Sequence, residues 1–178
     1  MNQLVEKEKQ FRLLSLLLLY PDEKFLSKTD EIREISDRFF GKEPGEKLEA
    51  FLEYLESHRL LELQEIYSAT FDLTPVTCLN LTYHRWGDGK ERGSALARFR
   101  EVYADSGFIQ ETGELPDYLP MVLEFLSFCS GQWHADIKKE YGESVKTIRE
   151  RLKKQDNPYA GLFEIVTDLF KKCEPGIQ

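Results

Sequence analysis

The chain has 178 residues, of which 41% are hydrophobic and 31% charged, enough for one soluble domain whose core needs no metal or disulfide staple. Its formal net charge of −8 argues against nucleic acid or an anionic membrane as the main partner and is compatible with a basic peptide. The three cysteines, Cys78, Cys129 and Cys173, are far apart, odd in number and outside any C-x-x-C pair, so they read as reduced thiols of a cytoplasmic protein.

In chain order, residues 3–20 predict a first helix, apolar over most of its surface after Phe11 and ended by Pro21. Its run from Leu13 to Tyr20 is too short to span a bilayer. The balanced Glu6-Lys7-Glu8-Lys9 before it, and the want of a small-residue cleavage site after it, set it apart from a secretion signal. Asp22 can cap a short turn holding Phe25 and Leu26. Ile32, Ile35 and Phe39 mark a helix over 30–40 that Gly41 terminates. Pro44 starts a helix over 44–57 with Leu48, Phe51, Leu52 and Leu55 on one face, and another runs over 59–70.

Phe71-Asp72-Leu73-Thr74-Pro75 breaks that helix, since Pro75 restricts Thr74 to extended backbone. A helix is expected over 76–86, with Val76, Leu79, Tyr83 and Trp86 in line, although the β-branched Val76, Thr77 and Thr82 disfavour it. Gly87-Asp88-Gly89 is a turn, and 91–106 is a helix ended by Gly107. Helices over 117–130, 131–154 and 158 to about Cys173 complete the chain. No segment alternates with period two, so the fold class is all-α: a single-domain bundle of about eight or nine helices over residues 1–173, with a flexible tail at 174–178.

The densest stretch is Glu114-Leu-Pro-Asp-Tyr-Leu-Pro120. With Asp117 as N-cap, Pro120 falls at the third helical position, where its missing N–H costs nothing. The run from Leu119 to Cys129 is apolar nearly all round, so the helix it opens is buried. A stiff, polar elbow carrying an aromatic side chain is either a contact site or only a helix start.

Residues able to do chemistry are sparse. His58, His84 and His134 are isolated from other metal-ligand types at ligand spacing. Cys78 and His84 are six residues apart, off a common helical face, and a helical thiol is inert. Lys90 and Arg92, at a helix start behind a glycine turn, either hold an anion, as in a weak nucleotide-binding enzyme, or belong to a turn with an ion pair. The carboxylates Glu111, Glu114 and Asp117 are close together, but capping accounts for Asp117 more simply than acid–base work.

Taken together, Phe11-Arg-Leu-Leu-Ser-Leu-Leu-Leu-x-Tyr-Pro-Asp-Glu23, Tyr67-Ser-Ala-Thr-Phe-Asp72, Leu79-x-Leu81-x-x-His84, Gly87-Asp, Arg92-Gly93-x-Ala95, Tyr103, Gly107, Glu114-Leu-Pro-Asp-Tyr-Leu-Pro120 and Leu123-Glu-Phe-Leu126 resemble the NarJ family. These are chaperones that assemble molybdenum-cofactor nitrate reductases, and their wider relatives are the TorD/DmsD chaperones of other molybdoenzymes. The resemblance covers about residues 9–130. It implies a TorD-like helical fold and a cytoplasmic, non-enzymatic role with no cofactor of its own. It also implies a client, the apo catalytic subunit of a molybdoenzyme, held by its N-terminal segment and kept competent for cofactor insertion. A dimethyl-sulfoxide-type reductase or a dehydrogenase is the alternative client. An apolar groove would take the client helix and acidic residues would meet its basic ones.

In the wider family a Pro-Asp-His type motif at this elbow is linked to client binding. Here Pro116 and Asp117 match, and Tyr118 stands where His is common. The resemblance thus places the client contact on Glu114, Pro116, Asp117 and Tyr118, with Asp72, His84 and Arg92. For Asp72 and Arg92 an ion pair holding two loops beside the groove is an equal reading.

Overall fold

The computed structural model describes residues 3–111 and 113–171. Within them ten α-helices follow one another: α1 (Gln3–Leu17), α2 (Glu23–Leu26), α3 (Thr29–Phe39), α4 (Lys42–Glu56), α5 (Leu60–Tyr67), α6 (Leu81–Trp86), α7 (Lys90–Asp105), α8 (Leu119–Phe128), α9 (Gln132–Lys154) and α10 (Ala160–Lys171). No strand is present among the described residues, only an isolated antiparallel bridge between Asn80 and Tyr118. The expected end of the last helix at Cys173, and the tail at 174–178, lie outside the described residues.

The two most apolar segments form the centre. Phe11, Leu14, Leu17 and Leu18 at the end of α1 and Leu119, Val122, Leu123 and Phe125 of α8 are buried, and the two helices pack along each other. Each such side chain withdrawn from water contributes about 1.5–3 kcal/mol. Ser15, the polar residue within the run, donates its hydroxyl to the Pro120 carbonyl at 2.7 Å, so its burial leaves no orphaned donor. Arg12 and Glu124 pair at the surface of the same contact.

Around this pair the amphipathic helices each turn one face inward. The α4 face of Leu48, Phe51, Leu52 and Leu55 is buried as its spacing requires, and α4 packs on α3 and α10. Helix α9 is unbroken and lays Ile137, Tyr141, Val145, Ile148 and Leu152 against α6 and α10. Tyr159 sits where these layers meet, its ring within 5.0 Å of Phe51 and 4.9 Å of Phe71.

Several helix boundaries differ from expectation, and two of the differences shape the site. Helix α1 stops at Leu17, three residues short, leaving Leu19 and Tyr20 41% and 49% exposed. The helix expected over 76–86 exists only over Leu81–Trp86. Pro75–Thr77 is a tight 3-10 turn, and Cys78, Leu79 and Asn80 follow in extended or non-helical backbone. The competing contacts are tertiary: the Thr77 hydroxyl donates to the Thr70 carbonyl, and Asn80 pairs with Tyr118. Val76, expected on the inner face, is consequently 45% exposed.

Candidate functional site

The segment from Leu115 to Leu119 is held from several directions. Its backbone pairs with the 79–81 segment, Leu81 N–H donating to Asp117 O at 3.1 Å and Leu119 N–H to Leu79 O at 2.8 Å. The Tyr103 hydroxyl, pushed above its ordinary range by burial, donates to the Pro116 carbonyl at 2.7 Å. The rigidity read from two prolines is therefore reinforced by backbone pairing that no local pattern discloses.

Asp117 is the main correction. It is fully buried and does not cap α8, whose N-cap is Tyr118, and Pro120 occupies the second helical position. Its carboxylate turns to another helix. One oxygen accepts the Thr82 N–H at 3.0 Å and the Thr82 hydroxyl at 2.5 Å, and the other accepts from Asn80 Nδ2 at 3.0 Å. Asp117 thus satisfies the start of α6, where the N-cap Asn80 makes no side-chain cap of its own. Arg92 supports this arrangement from behind: its Nε donates to Thr82 Oγ1 at 3.2 Å, and its guanidinium lies 5.5 Å from the Tyr83 ring centre.

Arg92 forms its ion pair with Asp88 at 3.7 Å, across the turn Gly87-Asp88-Gly89, and not with Asp72. A side chain at Gly89 would meet the Trp86 carbonyl oxygen at 2.9 Å, which accounts for that glycine. These contacts engage the guanidinium within the protein, and Lys90 beside it stands exposed. His84 points elsewhere. Its Nε2 lies 2.7 Å from the Cys78 carbonyl and its Nδ1 3.5 Å from Arg151 Nη1, so Nε2–H donates and Nδ1 accepts. Burial holds this imidazole below its ordinary pKa, in keeping with the neutral form. Cys78 Sγ approaches His84 Nε2 at 3.7 Å, a proximity that the expected helix excluded and the extended 78–80 backbone creates. Burial pushes the Cys78 thiol up, away from a reactive thiolate.

The remaining candidates meet at a cleft. Asp72, Glu114 and Tyr118 line a space of about 420 Å³ together with Tyr20, Tyr67 and Phe71. Asp72 and Glu114 are exposed at its mouth, and no cation lies within ion-pair distance of either among the described residues. Tyr118 forms a wall shared with a second depression of about 370 Å³, lined by Leu16, Leu19, Phe108, Ile109, Pro120 and Met121 among others. A third, of about 310 Å³, lies on the other side of the same helix end and shares Leu16 and Leu19 with the second. The three depressions therefore follow the exit of α1 from the core; the second and third are mainly apolar, with Arg12, Lys24 and Lys28 as well as carboxylates at their edges, and the first is the more polar.

Of the seven residues named from sequence, Asp72, Glu114 and Tyr118 come together at the cleft. Asp117, Pro116 and Arg92 form its scaffold, and His84 stands apart, against Arg151 of α9. Leu16, Leu19, Tyr20 and Tyr67 were not anticipated. The available signal was the pair Leu19-Tyr20 directly before Pro21, apolar residues that a helix stopping early leaves in solvent. Among the described residues no helix is long and apolar enough to cross a membrane, and no three His, Cys, Asp or Glu side chains are grouped to hold a metal ion.

Comparison with known proteins gives a consistent picture. The family described as nitrate reductase delta subunit matches residues 41–164. NarJ of Bacillus subtilis (strain 168) is 32% identical over 161 residues, which span 90% of this chain and 88% of that protein. The nitrate reductase molybdenum cofactor assembly chaperone NarJ of Escherichia coli (strain K12) is 30% identical over 88% of this chain and 67% of its own length. A solved structure described as a redox enzyme maturation protein from Archaeoglobus fulgidus superposes with a TM-score of 0.67 at 20% identity, covering 93% of this chain and 94% of that one. At that identity the superposition speaks for the fold.

Proposed function

We propose an assembly role for this chain, which belongs to the nitrate reductase delta subunit family: it binds the apo catalytic subunit of a molybdenum-cofactor nitrate reductase and keeps it competent for cofactor insertion. The observation that carries this reading is the match, over 90% and 88% of the chain, to relatives named as chaperones of that assembly. We place the client's N-terminal segment along the depressions at the end of α1, and assign the protein no catalytic role and a cytoplasmic location.

The physical case for the segment rests on complementarity. An amphipathic helix laid in a groove buries its apolar face, here against Leu16, Leu19, Ile109 and Met121. The exposed Asp72 and Glu114 and the net charge of −8 favour encounter with a basic segment. Calorimetry of the full chain with a synthetic peptide copying the N-terminus of the nitrate reductase catalytic subunit tests this. Saturable one-to-one binding that a scrambled peptide of equal composition does not show is the expected result. Equal heats for both peptides, or none at millimolar concentration, would overturn the assignment of that segment.

A further inference from the structure

Helix α1 ends where the chain turns toward α2, and the groups that hold this turn belong to α5. Pro21 has no N–H and disfavours helical backbone at Tyr20, and Asp22, the N-cap of α2, is extended. The last turn of α1 tightens instead, Leu19 N–H donating to Leu16 O at 3.2 Å. The carbonyls beyond it turn to α5. The Tyr67 hydroxyl donates to the Leu18 carbonyl at 2.9 Å, and Gln64 Nε2 donates to the Pro21 carbonyl at 3.0 Å. Gln64 and Tyr67 stand at i and i+3 on α5, hence on one face, and they grip the chain on either side of Leu19 and Tyr20.

The same hydroxyl reaches the elbow. Tyr67 has one hydroxyl proton and the Leu18 carbonyl can only accept, so the 2.8 Å contact between the Tyr67 and Tyr118 hydroxyls is donated by Tyr118. Burial raises both phenols, Tyr118 to about 12, so both protons are in place at neutral pH. One oxygen thus joins the exit of α1 to the start of α8. The Tyr20 ring packs edge to face on Tyr67 at 5.4 Å.

Leu19 borders both apolar depressions and Tyr20 borders the cleft, and both are exposed. Water disfavours that exposure. Freed from the two bonds, the segment would fold onto the nearest apolar surface, the floor of the depressions it now borders. We infer that Gln64 and Tyr67 are positioning residues of the client site: from α5 they clasp the Leu18–Pro21 segment and hold the α1 groove open in the shape the client meets. Gln64 does so without lining any of the three depressions. The inference rests on the client-binding reading above and goes beyond it by naming the side chains that keep the groove available. A groove open for only part of the time slows association by the open fraction and leaves dissociation unchanged. Loss of a direct contact acts mainly on dissociation.

Two measurements on the full chain test this, using Gln64→Met, which keeps the side-chain length and removes the donor, and Gln64→Met/Tyr67→Phe. The first is amide hydrogen exchange without peptide. In the double variant the Leu18 and Leu19 amides should exchange about tenfold faster, by more than any change at Val122 and Leu123 of α8, which report global opening. Gln64→Met should show a smaller change in the same direction. The second is stopped-flow anisotropy with a labelled peptide copying the N-terminus of the nitrate reductase catalytic subunit. Association with the double variant is expected to be about tenfold slower than with wild type, at an unchanged dissociation rate. Unchanged exchange at Leu18 and Leu19 would overturn the clasp, whatever the peptide does. A loss of affinity carried by dissociation would make the two side chains client contacts and overturn their positioning role, as would unchanged association in a chain whose α1 exit exchanges faster. If the double variant does not fold, Gln64→Met decides by the same criteria. A wild-type chain that binds no peptide overturns the client reading and the role drawn from it, while exchange still judges the clasp.

Discussion

At the scale of single residues, two side chains with reactive reputations turn out to be structural. His84 and Cys78 approach within 3.7 Å, a spacing that on another scaffold would suggest a nucleophile and its base. Here burial moves each toward its neutral form, the imidazole down and the thiol up. The His84 shift has a consequence for stability. The unfolded chain takes up a proton near the ordinary histidine value of 6.5, while the folded chain resists it until lower pH. The stabilisation from neutral His84 is thus complete above that value and is lost as the pH falls from there through the folded pKa. Urea unfolding of wild type and His84→Gln across this range should show a shallower acid-side decline in the variant. Parallel curves would sink the argument.

At the scale of elements, the notable case is a short helix capped by a residue 35 positions away. Helix α6 begins at Asn80 without a side-chain cap, and the carboxylate of Asp117 takes the Thr82 N–H and hydroxyl in its stead. Asp117→Ala would strand that N–H and leave Asn80 and the Thr82 hydroxyl without their acceptor in a buried site. The expected loss is about 2–4 kcal/mol, read from the urea midpoint. A loss below about 0.5 kcal/mol would mean that water replaces the carboxylate as acceptor. Weakened client binding in this variant would reflect a displaced elbow, because Asp117 itself is fully buried. The composition of Glu114–Pro120 reveals its stiffness, but not that Asp117 serves α6, because capping across a tertiary contact has no sequence period.

At the scale of the molecule, the groove exists only because α1, α8 and the 108–111 loop are brought together, and because α1 ends early. Leu19, 41% exposed, lines both apolar depressions. Leu19→Asp should therefore leave stability within about 1 kcal/mol of wild type, as for most exposed substitutions. It should weaken the client peptide by about tenfold or more, since burying a leucine is worth about 1.5–3 kcal/mol and burying a carboxylate there is unfavourable. Anisotropy titration with a labelled peptide measures this, and unchanged affinity would move the client off the α1 groove.

What the sequence determined by itself is the helical class, most helix positions and the family. Apolar spacing in α4, α9 and α10 is a local property that survives folding, and the ordered motifs from Phe11 to Leu126 are specific as a set. The tertiary structure alone decided which candidates share a site. It drew Asp72, Glu114 and Tyr118 to one cleft with Tyr20 and Tyr67, and sank Asp117 and Arg92 beneath it. It also replaced five residues of an expected helix, 76–80, by a tight turn and a backbone pairing. The physical reason is common to all of these: burial and hydrogen bonding between distant segments outweigh propensity differences of a few tenths of a kcal/mol per residue, on the order of those separating valine or threonine from better helix formers.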